Sequence, residues 1–550
     1  MRLPGGRYDG WTAVAVTLTG GYLLMVVWPL ALVLLSSVSG ETGFSLAGFA
    51  TFFSSRLYYG TLTNSLLVTV CVTGLALLVA FPLAYFMTMF RIAGNRTAQI
   101  LILASMMSPP FIGAYSWILL LGNNGMITRL VQDLIGVKPP SIYGFVGIVL
   151  VLTLQLVPLI FTYLMGAWRT LDVSLLEAAE SMGVTGVRRA LKVIAPLLWP
   201  TVLAGSLLVF VRAFADFGTP MLIGQGFRTI PVLIYSSFVG EVSIDKSFAA
   251  AVAVIVMVVT LAVFLVQKYL AGRQKFTMTA MRFIVPRRLT GWRNFGVHLY
   301  VYGFLTLALA PLAVVVVSSF RNTLYGQFVA GYSFENYIDS QRDIMRYVSN
   351  TFGIGITALV ILVVIAVLVA YLTVRRPGPL SNALDTMTMV PYVVPGLVIG
   401  IALVTAFSQR PLLLTGTFAI MVIALTIRRL PYSVRSTTAL MYQLSPSVEE
   451  AAISLGASKF RTFTRIVVPA LAPGILSGAV LSWVTIITEL STTLFLYNTS
   501  TQTLSLGIYA EVIRGQMGTA AALSTLLLVL TMLSLVLLMR LPGGGKELRV

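Results

Sequence analysis

Charge is scarce in this 550-residue chain. Only 10% of its residues are Asp, Glu, Lys or Arg, against about a quarter in soluble domains. With 57% hydrophobic residues and a mean hydropathy of +0.92, a soluble globular fold is excluded. Cysteine is nearly absent: Cys71 stands alone inside an apolar run, which rules out an intramolecular disulfide and any cysteine-based metal site. The single histidine, His298, opens another apolar run and reads as interfacial packing. Acidic residues number 18 against 37 basic ones, a net charge of +19. Nucleic-acid binding does not follow, because the basic residues fall in short segments beside apolar runs, where they act as membrane-topology signals.

Long apolar runs are what the chain has in quantity. Residues 145–164, 247–266 and 353–372 hold hardly a charge, and about 20 such residues cross a ~30 Å hydrocarbon layer as a helix. Lipid offers no partner for backbone N–H and C=O groups, so these runs must be helical. The fold expected is all-α and polytopic. Twelve spans are predicted at 11–37, 60–88, 98–121, 143–167, 201–223, 247–270, 296–319, 347–374, 383–407, 412–430, 474–496 and 518–540. The N-terminal Arg2 and Arg7 precede an apolar stretch too long for a cleaved signal, which reads as a retained first helix.

Charge tests that count. With the N-terminus inside, the cytoplasmic segments carry Arg91, Arg96, Arg169, Arg188, Arg189, Lys192, Arg375, Arg376, Arg428, Arg429, Arg435, Arg540, Lys546 and Arg549. The central segment 268–293 adds Lys268, Arg273, Lys275, Arg282, Arg287, Arg288 and Arg293 without one acid. Segments 225–246 and 321–346 mix both signs. Both termini are therefore expected in the cytoplasm.

A short polar block occurs twice, 273 residues apart. Glu177-Ala178-Ala179, Gly183 and Pro196 are matched without a gap by Glu450-Ala451-Ala452, Gly456 and Pro469. Over 24 aligned positions nine are identical, among them Ser181/Ser454, Arg188/Arg461 and Pro200/Pro473. The likeness extends to Asn64/Asn350, Ala84-Tyr85/Ala370-Tyr371, Asp216/Glu489 and Thr229…Tyr235/Thr503…Tyr509. Two domains are expected, 1–270 and 296–550, joined by a basic cytoplasmic linker at 271–295. Six spans per half give the copies one orientation, related by an axis along the membrane normal. Each block reads as a short helix favoured by its N-terminal acid, a glycine turn and a second helix bearing basic residues. Such a helix-turn-helix knob facing the cytoplasm can be pushed by a partner.

These blocks resemble the cytoplasmic EAA loop of binding-protein-dependent ABC importer permeases, with its glycine four residues on and its I-x-L-P tail. The tails here are Val193-Ile194-Ala195-Pro196 and Ile466-Val467-Val468-Pro469, so the family's leucine is Ala195 in one copy and Val468 in the other. The resemblance implies a type I importer with a MetI-like fold. It further implies that Glu177, Ala178, Ala179, Gly183 and Glu450, Ala451, Ala452, Gly456 contact two copies of an ATP-hydrolysing subunit. ATP and Mg²⁺ would bind in that partner. This sequence has no G-x-x-x-x-G-K-[ST] run; its Gly545-Lys546 pair is followed by Glu547. A periplasmic or lipid-anchored binding protein would deliver the solute to outer loops such as 39–58 and 321–346, at a bacterial inner membrane.

Substrate must be argued from rarer residues. Intramembrane ionisable groups are functional candidates: Arg212 and Asp216, spaced i,i+4 late in the fifth span, and Glu489, aligned with Asp216. They either line the route, favouring a cationic cargo, or are structural, Arg212 pairing with Asp216 and Glu489 satisfying backbone at a helix break near Ser491. Gln155, Asn64 and Asn350 pose the same question. Gly396-x-x-x-Gly400 and Gly474-x-x-x-Gly478 suit close helix packing. The runs Ala215–Pro220, Arg429–Arg435 and Thr488–Leu494 resemble ferric-iron importer permeases, with thiamine, polyamine, sulfate and phosphonate permeases as rivals. No residue cluster resembles an iron site, and in that family the binding protein supplies recognition. An ion-coupled secondary transporter is the alternative of a different class.

Overall fold

The computed structural model describes residues 10–40, 43–106, 110–169, 171–239, 246–273 and 284–540. Arg2, Arg7, Lys275, Arg282, Lys546 and Arg549 lie outside these residues. Among the described residues, eight helices are long and apolar enough to cross a membrane, and three further pairs bent by 67–112° bring the total to as many as eleven. These coincide with eleven of the twelve expected spans. The span expected at 412–430 falls on Phe418–Gln443, a helix that carries Arg428, Arg429 and Arg435.

The fifth span departs from expectation in position. The helix ends at Phe214 and restarts as the short helix Gly218–Ile223, while the helical stretch begins as far back as Gly186. Asp216 therefore sits in the break, not on a helical face shared with Arg212. Its aligned partner does likewise: Ala472–Ile487 ends before Glu489, and a 3₁₀ turn follows at Thr493–Phe495. Two small antiparallel hairpins interrupt the all-helical pattern, Ser39–Gly40 with Gly43–Phe44 and Arg321–Leu324 with Gln327–Tyr332.

Contacts divide the chain into two compact units that do not coincide with the sequence halves. One takes residues up to Gly48, Lys246–Met257 and everything from Ser319; the other takes Phe49–Asp245 and Val258–Ser318. The opening helix of each half is thus grouped with the opposite half. Within the first unit, Trp11 lies 4.5 Å from the Tyr371 ring, and Met25, Val26, Pro29 and Leu30 meet Pro391, Ile399, Leu403 and Ile427. Within the second unit, Tyr300 of helix Gly291–Ser318 donates to the Val79 carbonyl, and Val301 and Phe304 are buried in its core. Apolar faces of these opening helices find cover that their own half does not provide.

Among the described residues three π turns punctuate the helices, and each ends just before an X-Pro pair. Leu23–Val27 precedes Trp28-Pro29, Ala190–Ile194 precedes Ala195-Pro196, and Phe463–Val467 precedes Val468-Pro469. Proline cannot donate to the carbonyl four residues back, and its ring collides with that carbonyl. Widening the preceding turn relieves both problems. Trp28 N and Val468 N accordingly donate five residues back, to Leu23 O and Phe463 O.

Candidate functional site

Each repeated block folds as a short helix closed by the same cap. Val173–Ser181 begins at Asp172, whose carboxylate accepts from Ser174 N at 2.9 Å. It ends with Gly183 N donating to Glu180 O and Val184 N to Ala179 O, both at 2.9 Å. Ser447–Ser454 ends with Gly456 N on Ile453 O and Ala457 N on Ala452 O, at 2.9 and 3.0 Å. These are paired Schellman caps with glycine in the left-handed position, φ +77° at Gly183 and +87° at Gly456. A Cβ would meet nothing within 4 Å at either, so the backbone angle rather than space demands glycine.

The outward faces of the blocks match as well. Glu177, Ala178, Glu450 and Ala451 are exposed, while Ala179 and Ala452 are buried against their own unit. Sequence reading missed the apolar side chains beside them. Met182 and Leu455 are 75% and 89% exposed, and Val187 and Phe460 71–75%. These residues align across the 273-residue offset, which was the available signal. Each block is a capped helix-turn-helix presenting an acid, an alanine and two bare apolar groups.

The blocks are tied down differently. In the first, Arg189 pairs with Glu180 at 2.9 Å, and Arg287 approaches the same carboxylate at 3.7 Å. In the second, Glu449 pairs with Arg375 at 2.6 Å, both side chains nearly buried.

Asp216 and Glu489 do the same local work in the two halves. Asp216 Oδ1 accepts from Thr219 N at 2.9 Å, and Glu489 Oε1 accepts from Thr492 N at 3.0 Å. Each carboxylate caps the segment that resumes after a helix break, satisfying an orphan N–H. Glu489 additionally pairs through Oε2 with Arg429, a partner 60 residues away that sequence reading did not assign. Arg428 beside it donates to the Pro391 and Val394 carbonyls, where helix Pro379–Val393 ends. The first half has Gln155 and Leu156 at these aligned positions. Both amide atoms of Gln155 are buried and without a hydrogen-bond partner among the described residues, with the amide packed over Gly113. Arg212 is exposed at the end of its helix.

Asn64 and Asn350 are docking residues. Asn64 Nδ2 donates to Arg228 O, and Asn350 Nδ2 to Ser500 O and Gln502 O; the next residues, Ser65 and Thr351, accept from Ile230 N and Leu504 N at 2.8 Å. Gly400 and Gly478 permit close approach, since a Cβ would come within 2.7–2.8 Å of Thr492 O and Ser433 Cα.

With two equivalent blocks on a doubled helical membrane scaffold, comparison with known proteins becomes decisive. The sequence profile of the binding-protein-dependent transport system inner membrane component matches twice, at residues 80–276 and 363–541. The chain belongs to this family.

Relatives of this permease include the ferric transport system permease protein FbpB of Actinobacillus pleuropneumoniae. It is 28% identical over 473 residues, covering 82% of this chain and 67% of the relative. The Fe(3+)-transport system permease protein FbpB 2 of Haemophilus influenzae is 24% identical over 469 residues, 85% and 87% of the two chains. A Salmonella typhimurium protein, provisionally named 2-aminoethylphosphonate transport system permease protein PhnU, is 26% identical over 251 residues, 45% of this chain and 87% of its own. The two profile matches each contain one repeated block, so this multi-pass inner-membrane permease is a fusion of two family domains. Its family works with a substrate-binding protein and an ATPase; the permease itself is a transport component, not an enzyme.

Proposed function

We propose that this permease carries ferric iron inward through a twelve-span core driven by two ATPase subunits docked on the two repeated blocks. The matched Schellman caps carry this reading: two protruding helices of one shape, on one chain, suit two copies of one partner. Each partner cleft would receive Glu177 and Ala178, or Glu450 and Ala451, with Met182 or Leu455 filling an apolar recess. ATP and Mg²⁺ bind in those subunits. Both termini lie in the cytoplasm, where the charge bias puts them, and the delivering protein docks on the opposite side, around the hairpin Arg321–Tyr332. ATP-driven closure draws the blocks together and flips the core to accept the substrate that the binding protein releases. Iron as cargo rests on the names of relatives aligned over 443–473 residues; the phosphonate relative, aligned to one half, makes 2-aminoethylphosphonate the second choice.

Asp216 and Glu489 serve as caps of helix breaks, a role supported by their matching bonds to Thr219 and Thr492. Asp216→Asn keeps a capping oxygen and removes the charge, so near-normal uptake is expected; a severe loss would restore Asp216 to the route.

The test of the whole reading is reconstitution of the permease with its ATPase and binding protein in proteoliposomes. Binding protein loaded with ferric iron should stimulate ATP hydrolysis and uptake, above protein loaded with 2-aminoethylphosphonate, thiamine or polyamine. Uptake that persists without ATP would make the chain a secondary transporter.

A further inference from the structure

The second block is keyed into the membrane helices through one guanidinium that is itself the end of a membrane helix. Arg375 is the last residue of helix Gln341–Arg375. Its Nε donates to Glu449 Oε1 at 2.6 Å, and its NH2 donates to Leu444 O at 2.7 Å. Leu444 is the C-cap of helix Phe418–Gln443, and Glu449 lies in the first turn of the block helix Ser447–Ser454. One cation therefore sits at the negative ends of two helices and pairs with an acid at the positive end of a third, three favourable placements at once. Tyr371, one turn earlier, donates its hydroxyl to Glu449 Oε2 at 3.3 Å. Its ring lies 4.9 Å from Phe463, the first residue of the π turn that follows the block. Trp11 of the opening helix completes a three-ring cluster, 4.5 Å from Tyr371 and 4.9 Å from Phe463. The block is thus gripped at its start by Arg375 and at its exit by Tyr371.

At the aligned positions the first half has Met89 and Leu176 in place of Arg375 and Glu449. Its ion pair, Glu180–Arg189, joins the block to the following helix, and Arg287, 3.7 Å from the same carboxylate, donates its backbone N–H to Met89 O at the end of helix Arg56–Met89. Resting on the docking role proposed above, we infer that Arg375 is a positioning residue. Through Glu449 it makes the second block move as one body with helices Gln341–Arg375 and Phe418–Gln443, whereas the first block meets the end of helix Arg56–Met89 through the exposed Arg287 at 3.7 Å, so the two ATPase contacts are held unequally. The exposed Glu450 meets the partner; its buried neighbour Glu449 passes the displacement inward.

The test uses the complete reconstituted transporter carrying Glu449→Gln, Arg375→Gln or Arg375→Lys. Three readouts are needed: ATPase subunits retained on the purified permease, binding-protein-stimulated ATP hydrolysis, and solute transported per ATP. The Gln variants should keep their ATPase subunits and lose about tenfold in solute per ATP, the size of a typical coupling between sites. Arg375→Lys, which keeps a cation opposite Glu449, should recover part of that ratio. Gln variants that retain the wild-type ratio would overturn the inference. So would a loss of transport that only tracks lost ATPase subunits, since that marks a structural anchor. A wild-type complex that no loaded binding protein stimulates would instead remove the importer reading itself, a separate failure.

Discussion

At the scale of single residues, backbone angle and charge pairing make separate demands. Gly183 and Gly456 occupy left-handed conformations with open space around them. A β-branched side chain there costs about 1–2 kcal/mol from strain alone, whereas Asn tolerates the region. Gly456→Val should therefore lower both the unfolding temperature in detergent and ATPase-coupled uptake, with Gly456→Asn near wild type by both measurements. Glu489 makes a different demand, because it is buried and ion-paired with Arg429. Arg429→Leu strands a carboxylate and should destabilise by about 3–5 kcal/mol. Adding Glu489→Gln removes the stranded charge, keeps the bond from Thr492 N, and should restore much of the loss in the same unfolding assay. The two cases differ in how much the sequence reveals. A glycine repeated after Glu-Ala-Ala is visible because its cause is local; the Arg429–Glu489 pair is invisible because 60 residues separate its members.

At the scale of elements, the halves share a plan and differ in its execution. Asn350 holds the Ser500 and Gln502 carbonyls, while Asn64 holds that of Arg228. Each such bond contributes about 1 kcal/mol. Hydrogen exchange should thus rise more in residues 498–504 of Asn350→Ala than in residues 227–231 of Asn64→Ala. The π turns offer a second test. Pro469→Ala restores the missing N–H and removes the ring that widens Phe463–Val467. Exchange protection over those residues should increase, and a rise in exchange there would contradict the proline account. Apolar runs revealed the membrane helices because a 20-residue stretch without charge has few other uses. By themselves they did not reveal the breaks after Phe214 and Ile487. Asp216 and Glu489 are the visible marks of those breaks: the sequence already offers a helix break near Ser491 for Glu489, while Asp216 reads as helical until its bond from Thr219 N is seen.

At the scale of the whole molecule, the grouping of the opening helices has a consequence for assembly. Gly10–Ser37 packs with the second half and Gly291–Ser318 with the first. If the chain is divided at residue 280 and the pieces are expressed apart, each half exposes the apolar surface that the other's opening helix covers. Separate halves should aggregate or be degraded, and co-expressed halves should purify together and retain uptake. Recovery of either half as a stable, monodisperse species by size-exclusion chromatography would count against the exchange.

The sequence by itself determined the membrane class, the duplication, the two blocks and the family they point to. Hydropathy, charge bias and a glycine turn are properties of short segments, and a repeat is a comparison of the chain with itself. Only the tertiary structure decided that the opening helices change places, that Asp216 and Glu489 cap breaks, and that Arg375 grips one block alone. Each of these depends on groups 60 or more residues apart, or on a backbone turn whose hydrogen bonds exist only once the helices have packed.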